Sequence, residues 1–273
     1  MRWCLPAALS NKISYYKQYG KNPLEWVEAK KMNTLGGSSK HICLRPIQEI
    51  EYTNNKIIYK KEWKNCLKLN YSSLKTSLKE EILITPEVMR LFGLWLGDGS
   101  ISINKEKKYY AINFTFSYEE FKYYWDSFVK IASENIGITW SINYRPERGR
   151  VDITSHSIEL VELFYFLFGY SHAKDKYIPK RLLHITEELD FNLFIGYALA
   201  DGHFRTKEKN GHSSGEFCSV SISKQLAYDF QKLLTSLHLR SSITISKERV
   251  DKNGTHHHTA YYLSSSNKVW TLI

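Results

Sequence analysis

A nine-residue segment occurs twice in this chain. Leu91-Phe92-Gly93-Leu94-Trp95-Leu96-Gly97-Asp98-Gly99 returns as Phe194-Ile195-Gly196-Tyr197-Ala198-Leu199-Ala200-Asp201-Gly202, with the two acids 103 positions apart. The segments downstream of the two copies repeat as well. First comes a charged, loop-like stretch, Asn104–Lys108 and Lys207–Gly211. A period-two strand comes next, Ala111–Ser117 and Phe217–Ser223, then a helix around 119–135 and 225–237. Two more strands complete the pattern: Thr139–Tyr144 with Val151–Ser155, and Ser242–Ser246 with Ala260–Ser265. An apolar helix over Ile158–Phe168 closes the first run, and Lys268-Val269-Trp270 would open its equivalent in the second. Few folds accommodate such a duplication. The pattern predicts an α+β protein, a pseudo-two-fold pair of αββαββα units with two antiparallel sheets and the repeated helices packed at the centre. Residues 1–80 are polar and irregular, 81–183 form the first unit and 184–273 the second.

The repeated segments read as helices with defined ends. Thr85-Pro86-Glu87 supplies an N-cap, a proline in the first turn and an acid at the positive dipole end. Thr186-Glu187-Glu188 does the same for the second copy. Gly99 and Gly202 are expected to stop the helices in a left-handed conformation. Gly93 and Gly97, then Gly196 and Ala200, stand four apart and leave one helix face nearly bare. Two such faces can pack backbone on backbone, which would bring Asp98 and Asp201 together at two negative helix ends. Carboxylates so placed repel one another, and a cation relieves the repulsion. All-oxygen ligands suit Mg²⁺, which serves phosphodiester hydrolysis by activating water and stabilising the leaving oxygen.

The charge balance agrees with a polyanionic partner. Lys and Arg number 38 against 28 Asp and Glu, a net charge of +10. No apolar run approaches the ~20 residues of a membrane span, and the opening Met1–Ser10, interrupted by Pro6, is too short for a signal peptide. Cys4, Cys43, Cys66 and Cys218 are scattered without a C-x-x-C pair, as in a reduced, intracellular protein.

Both nonapeptides resemble the LAGLIDADG motif of homing endonucleases, in the single-chain form with two motifs. Gly93, Leu94, Asp98 and Gly99 match in the first copy; Gly196, Ala200, Asp201 and Gly202 match in the second. Leu96 and Leu199 replace an acid that the family pattern often has. The resemblance spans about 85–273. It implies saddle-shaped sheets lying along duplex DNA, and motif acids that bind Mg²⁺ with Gly97 and Ala200 beside them and cut both strands across the minor groove. His172-Ala173-Lys174-Asp175-Lys176-Tyr177-Ile178-Pro179 resembles the K-x-I-P segment of intein-type (DOD-type) members, which makes Lys176 the active-site lysine. The counterpart of Lys176 would fall near position 279, past Ile273, so the second half reads as C-terminally truncated. Glu25–Lys31 and Ile42–Ile47 resemble late strands of a splicing domain, making 1–80 its remnant plus linker. With Met1 first and Thr271-Leu272-Ile273 last, the chain lacks splice-junction residues and is not expected to splice.

The basic residues expected to meet DNA are doubled as well. Arg145, Arg148 and Arg150 surround one strand turn, and Lys247, Arg249 and Lys252 surround its counterpart. Lys105, Lys107 and Lys108 match Lys207 and Lys209 in the other loop pair, and Lys224 opens the helix after the second strand. Loops would hold phosphates while strands reach the major groove. His256-His257-His258, after Asn253-Gly254, reads as an exposed turn. Together these features point to an intein-derived, site-specific double-strand DNA endonuclease acting as a monomer with Mg²⁺. The alternatives are a cleavage-impaired DNA-binding protein or an RNA maturase on the same fold, and a structural repeat protein without a nucleic-acid role.

Overall fold

The computed structural model describes residues 3–4, 26–33, 40–46, 50–53, 56–59, 79, 81–104, 109–168, 172–209, 212–250, 252 and 254–267. Strands β1 (Trp3–Cys4), β2 (Trp26–Asn33) and β3 (Lys40–Pro46) make one antiparallel sheet in the order β1-β3-β2. Strands β4 (Ile50–Thr53), β5 (Lys56–Tyr59) and β6 (Glu81–Leu83) make another. The first repeat then runs α1 (Pro86–Asp98), β7 (Ser100–Asn104), β8 (Tyr109–Ser117) and α2 (Tyr118–Tyr124). A π-helical turn (Trp125–Val129), α3 (Lys130–Ile136), β9 (Ser141–Arg145), β10 (Arg150–Ser155) and α4 (Ile158–Phe168) complete it. The second runs α5 (Glu187–Asp201), β11 (Gly202–Lys209), β12 (His212–Ser221), α6 (Lys224–Ser236) and β13 (Ser241–Ser246). A short ribbon of β14 (Arg249–Val250) and β15 (His256–His257) leads into β16 (Ala260–Asn267). The two repeats build sheets of matching order, β7-β8-β10-β9 and β11-β12-β16-β13, antiparallel throughout.

Local chemistry sets the helix starts. The Thr85 and Thr186 hydroxyls accept from the Val88 and Leu189 amides at 3.4 and 3.2 Å. Ser117 and Glu120 form a reciprocal capping box at α2, and the Ser223 hydroxyl accepts from the Leu226 amide at α6. Val88, Met89 and every residue from Leu91 to Leu96 are buried, as are Leu189, Asp190 and every residue from Asn192 to Ala198. Helices covered on all sides belong in the middle of a protein. Flanking helices and strand β12 pack against them through aromatic contacts. Phe92 and Trp95 meet Phe164 and Phe168 in the first repeat, while Phe194 meets Phe217 and Tyr197 stacks on Phe230 in the second.

The bare faces do what their spacing predicts. A Cβ on Gly93 would run into the Leu193 carbonyl and come within 2.7 Å of the Tyr197 amide. A Cβ on Gly196 would strike the Arg90 backbone, and one on Gly97 would overlap the Ala200 methyl. Helices α1 and α5 therefore cross with no room for a side chain. The Arg90 guanidinium adds a 2.5 Å hydrogen bond to Asn192 across the same contact.

Two expectations are corrected. Gly99 (φ −71°, ψ 144°) and Gly202 (φ −87°, ψ 155°) are extended, not left-handed. Glycine is required there for space: a Cβ on Gly99 would strike the Trp95 ring, and one on Gly202 the Ala198 carbonyl. The helices stop because the chain turns straight into a strand. For the same reason Lys207 and Lys209 lie in β11 rather than in a loop: Lys207 pairs with Ser214 and Lys209 with His212. Lys105–Lys108 and Lys268–Trp270 lie outside the described residues.

Candidate active site

Asp98 is the last residue of α1 and Asp201 the last of α5. Because the helices touch backbone to backbone, these ends adjoin: a Cβ on Gly97 would lie 3.4 Å from the Asp201 carboxyl carbon. Both side chains reach solvent, yet protein surrounds them closely enough to strip part of their hydration. Asp98 is pushed up from 3.8 to about 6, first by that desolvation and then by the Asp201 charge, with Glu120 adding to it and Lys176 opposing. Desolvation also raises Asp201, with Lys176 again opposing. The pair therefore holds its negative charge at an electrostatic cost.

Lys176 is buried, with 6% of its surface exposed. Its ammonium donates to the carbonyls of Trp95, Gly97 and Gly99 at 3.2, 2.6 and 3.2 Å. The Trp95 carbonyl also accepts from the Gly99 amide at 3.1 Å, and the lysine extends that pairing past the end of the helix, so it caps α1. Burial lowers its pKa to about 8, against the pull of Asp201 and Asp98. The segment carrying it is fixed from the second repeat. The Ser223 hydroxyl donates to the Lys176 carbonyl at 2.6 Å, and the Ile178 amide donates to Asp229 at 3.1 Å. The far helix end has a different partner, the Tyr124 hydroxyl, which donates to the Leu199 carbonyl at 2.9 Å. Burial raises the Tyr124 pKa to about 12, and Glu120 and Asp98 add to the rise.

The structure thus brings together Asp98, Asp201, Gly97, Ala200 and Lys176, and adds Glu120 and Tyr124. Sequence reasoning missed these two. In the sequence Glu120 is one acid and Tyr124 one aromatic among several in the same segment.

The basic residues are spread over the two sheets. Arg145 and Arg150 share one carboxylate, Asp152, at 2.7 and 3.3 Å. Desolvation works against that charge, but the Thr115 hydroxyl, Arg150 and Arg145 outweigh it and hold Asp152 below its ordinary value. Two guanidiniums on one acid keep a surplus positive charge on the open face of the first sheet. Arg148 is exposed on the turn between β9 and β10. Lys247, Arg249 and Lys252 are exposed at or near the β14–β15 ribbon, and Lys224 is exposed at the start of α6, with its ammonium 5.9 Å from the Tyr228 ring. Arg205, exposed on β11, escaped sequence reasoning because the residues after Gly202 did not read as a strand; its alternation with Phe204 was the available signal. None of these basic residues adjoins the acids in any described contact. Polar side chains link across the first open face, Thr154 to Asn113 at 3.1 Å and Asn113 to Ser102 at 3.0 Å.

Comparison with known proteins finds one matching family model. Residues 188–270 match the LAGLIDADG-like domain. No curated protein matches the chain. Among solved structures, mesophilic variants of the homing endonuclease I-DmoI are 16% identical, with 69% of this chain and 86% of that one covered and a TM-score of 0.48. I-DmoI in complex with DNA and Ca is 16% identical over 69% and 87% of the two chains, with a TM-score of 0.47. The homing endonuclease I-WcaI, bound to its DNA recognition sequence, is 18% identical over 73% and 86%, with a TM-score of 0.40. The match to the LAGLIDADG-like domain falls on the second repeat, and the first repeat is built on the same helix and sheet order.

Proposed function

We propose that the chain is a site-specific double-strand DNA endonuclease that hydrolyses phosphodiester bonds, using a divalent cation, across the minor groove. One observation carries this reading: two carboxylates held side by side, at an electrostatic cost, where two motif helices end between two four-stranded sheets. Mg²⁺ is the cation that fits the donors. Asp98 and Asp201 would hold it, with the Gly97 and Ala200 carbonyls beside them. When bound, such an ion lowers the pKa of a water and stabilises charge on the leaving oxygen.

The chain's own residues prepare that site. Asp98, at about 6, is ionised at neutral pH and protonated only in mild acid. Lys176 fixes the end of α1 and sets positive charge beneath both acids. Its role is positioning and charge stabilisation rather than direct contact with a scissile phosphate, because its ammonium is already directed at three carbonyls. Arg145, Arg150 and Arg205 on the sheets, Arg148 on the β9–β10 turn, Lys224 at the start of α6, and Lys247 and Arg249 at the ribbon would follow the duplex as a monomer's two half-sites, together with Lys207 and Lys209 of β11 and with Lys105, Lys107 and Lys108, which lie outside the described residues. In this reading 1–80 is the remnant of an intein splicing domain, 81–183 the first endonuclease half and 184–273 the second.

A second reading, a cleavage-impaired DNA binder, is favoured by the Lys176 bond to the Gly97 carbonyl. That bond occupies one lone pair of an expected metal ligand. One experiment separates the two. The purified chain is incubated with a plasmid library of varied inserts, with Mg²⁺ or EDTA, beside Asp98→Asn, and the ends are sequenced. Cuts at one long site that need Mg²⁺ and Asp98 support the endonuclease. Salt-sensitive duplex binding without cuts selects the binder.

A further inference from the structure

The histidine triplet is not a turn. His256 and His257 form β15 and pair with Val250 and Arg249 of β14. Continuing that antiparallel register sets Glu248 opposite His258. Side chains alternate along strands, so Glu248, His256 and His258 share one face of the ribbon, while His257 and Arg249 take the other. The contacts agree. His256 Nε2 lies 3.0 Å from Glu248 Oε1, and the His256 and His258 rings are 5.4 Å apart, centre to centre. One ligand atom from each of the three residues lies within 4.8 Å of the others, and all three side chains are exposed.

We infer that Glu248, His256 and His258 form a binding site for a divalent transition-metal ion of the Zn²⁺ class. Two imidazoles and one carboxylate are the donor set that such ions take, with a fourth position left to water. Mg²⁺ and Ca²⁺ prefer oxygen donors alone, so this site and the Asp98–Asp201 pair select different ions. Ligands around a tetrahedral Zn²⁺ stand about 3.3 Å apart, given bonds of ~2.0–2.1 Å. The exposed side chains reach that spacing by small rotations.

The ion would also serve the ribbon. Two paired residues per strand hold a hairpin weakly. A metal joining Glu248 to His256 and His258 clips both strands of the ribbon, whose connection passes through Gly254 at φ +79°. That clip would order the segment that carries Lys247 and Arg249. The inference stands on the ribbon alone and does not depend on the nuclease reading.

The test is calorimetric titration of the untagged full chain with ZnCl₂ in the presence of excess Mg²⁺. One Zn²⁺ per chain is expected. His256→Ala and His258→Ala should each weaken binding by about tenfold or more, since loss of a ligand exceeds the ~10–100-fold range of outer-sphere changes at its lower end. His257→Ala and Asp98→Asn should leave it unchanged. Absence of saturable binding in the wild-type chain overturns the inference, as does equal binding by both ligand variants. Should a variant misfold, wild-type NMR decides: Zn²⁺ shifting the ring resonances of His256 and His258 supports the site, and shifts confined to other histidines refute it.

Discussion

The two motif helices share a sequence pattern, a capping threonine and a terminal aspartate, but they do not share an ending. Helix α1 ends on a buried ammonium that takes the carbonyls of Trp95, Gly97 and Gly99. Helix α5 has one cross-repeat partner among the described hydrogen bonds at its end, the neutral Tyr124 hydroxyl on Leu199. A lysine neutralises the negative end of a helix dipole; a phenol only satisfies an acceptor. A near-repeat in sequence thus yields two helix ends with different electrostatics, and the difference comes from what each neighbouring segment inserts.

The largest effect should come from the acids. Asp98→Asn and Asp201→Asn are each expected to reduce double-strand cutting at least about 100-fold. Counting nicked circles sharpens the comparison: if the ends act independently, each variant leaves single-strand nicks, and if they act as one site, neither does. Next in size is the helix contact that joins the ends. Gly196→Val should lower stability by about 3 kcal/mol in denaturant unfolding, because its Cβ would overlap the Arg90 backbone and backbone cannot yield as a side chain can. An unchanged midpoint would break the claim that α1 and α5 meet without side chains.

Lys176→Met probes the asymmetry directly. It removes the donor that three carbonyls at the α1 end share, a loss of about 1–3 kcal/mol. It also removes the cation that lowers both acids, so the acid limb of the pH–cutting profile should move to higher pH. A profile that stays in place would mean that the lysine does not act on the acids.

A smaller effect has the opposite sign. The folded-state pKa of Asp98 is raised, so the protonated form suits the fold. Stability is fully present below 3.8 and is lost as pH rises towards about 6. At pH 7 Asp98→Asn should therefore stabilise the protein while disabling it. The full shift is worth about 3 kcal/mol, which solvent exposure reduces to about 1 kcal/mol. The gain in melting temperature should grow between pH 4 and 6 and level off above. The smallest effect belongs to the sheets: Arg148→Ala should reduce the slope of log affinity against log salt by about 0.9 and weaken binding to all duplexes alike.

Much of this architecture was legible in the residues alone. The αββαββα repeat predicted the helices, four strands in each half and a side-chain-free contact between the motif helices. Where the strand directly after each motif lies was not legible. Ser100–Asn104 is short, and Gly202–Lys209 is dense in charge; each becomes a strand because β8 or β12 offers it a hydrogen-bonding edge. The left-handed glycines failed for a related reason. Asp-Gly after a helix usually marks a turn, but here Trp95 and Ala198 crowd the position and demand a missing Cβ at an ordinary φ. Lys176 was legible as a candidate only through its resemblance to a known segment. Its burial was not, since a lysine between Asp175 and Tyr177 in a polar stretch carries no local sign of it. The histidine triplet gave the ligands but not their face, which needed the register with Glu248.

By itself, the sequence determined that this protein is built twice over, that its two central helices lack side chains where they meet, and that each delivers one acid to a shared end. Those are properties of spacing, and spacing along a helix is fixed by 3.6 residues per turn wherever the helix lies. The tertiary structure alone decided that the acids lose enough water to hold Asp98 near 6, that a lysine from the connecting segment is buried beneath one end and a tyrosine bonds near the other, and that Arg145 and Arg150 share Asp152. Desolvation and charge pairing depend on distance through space, between residues that the chain keeps far apart.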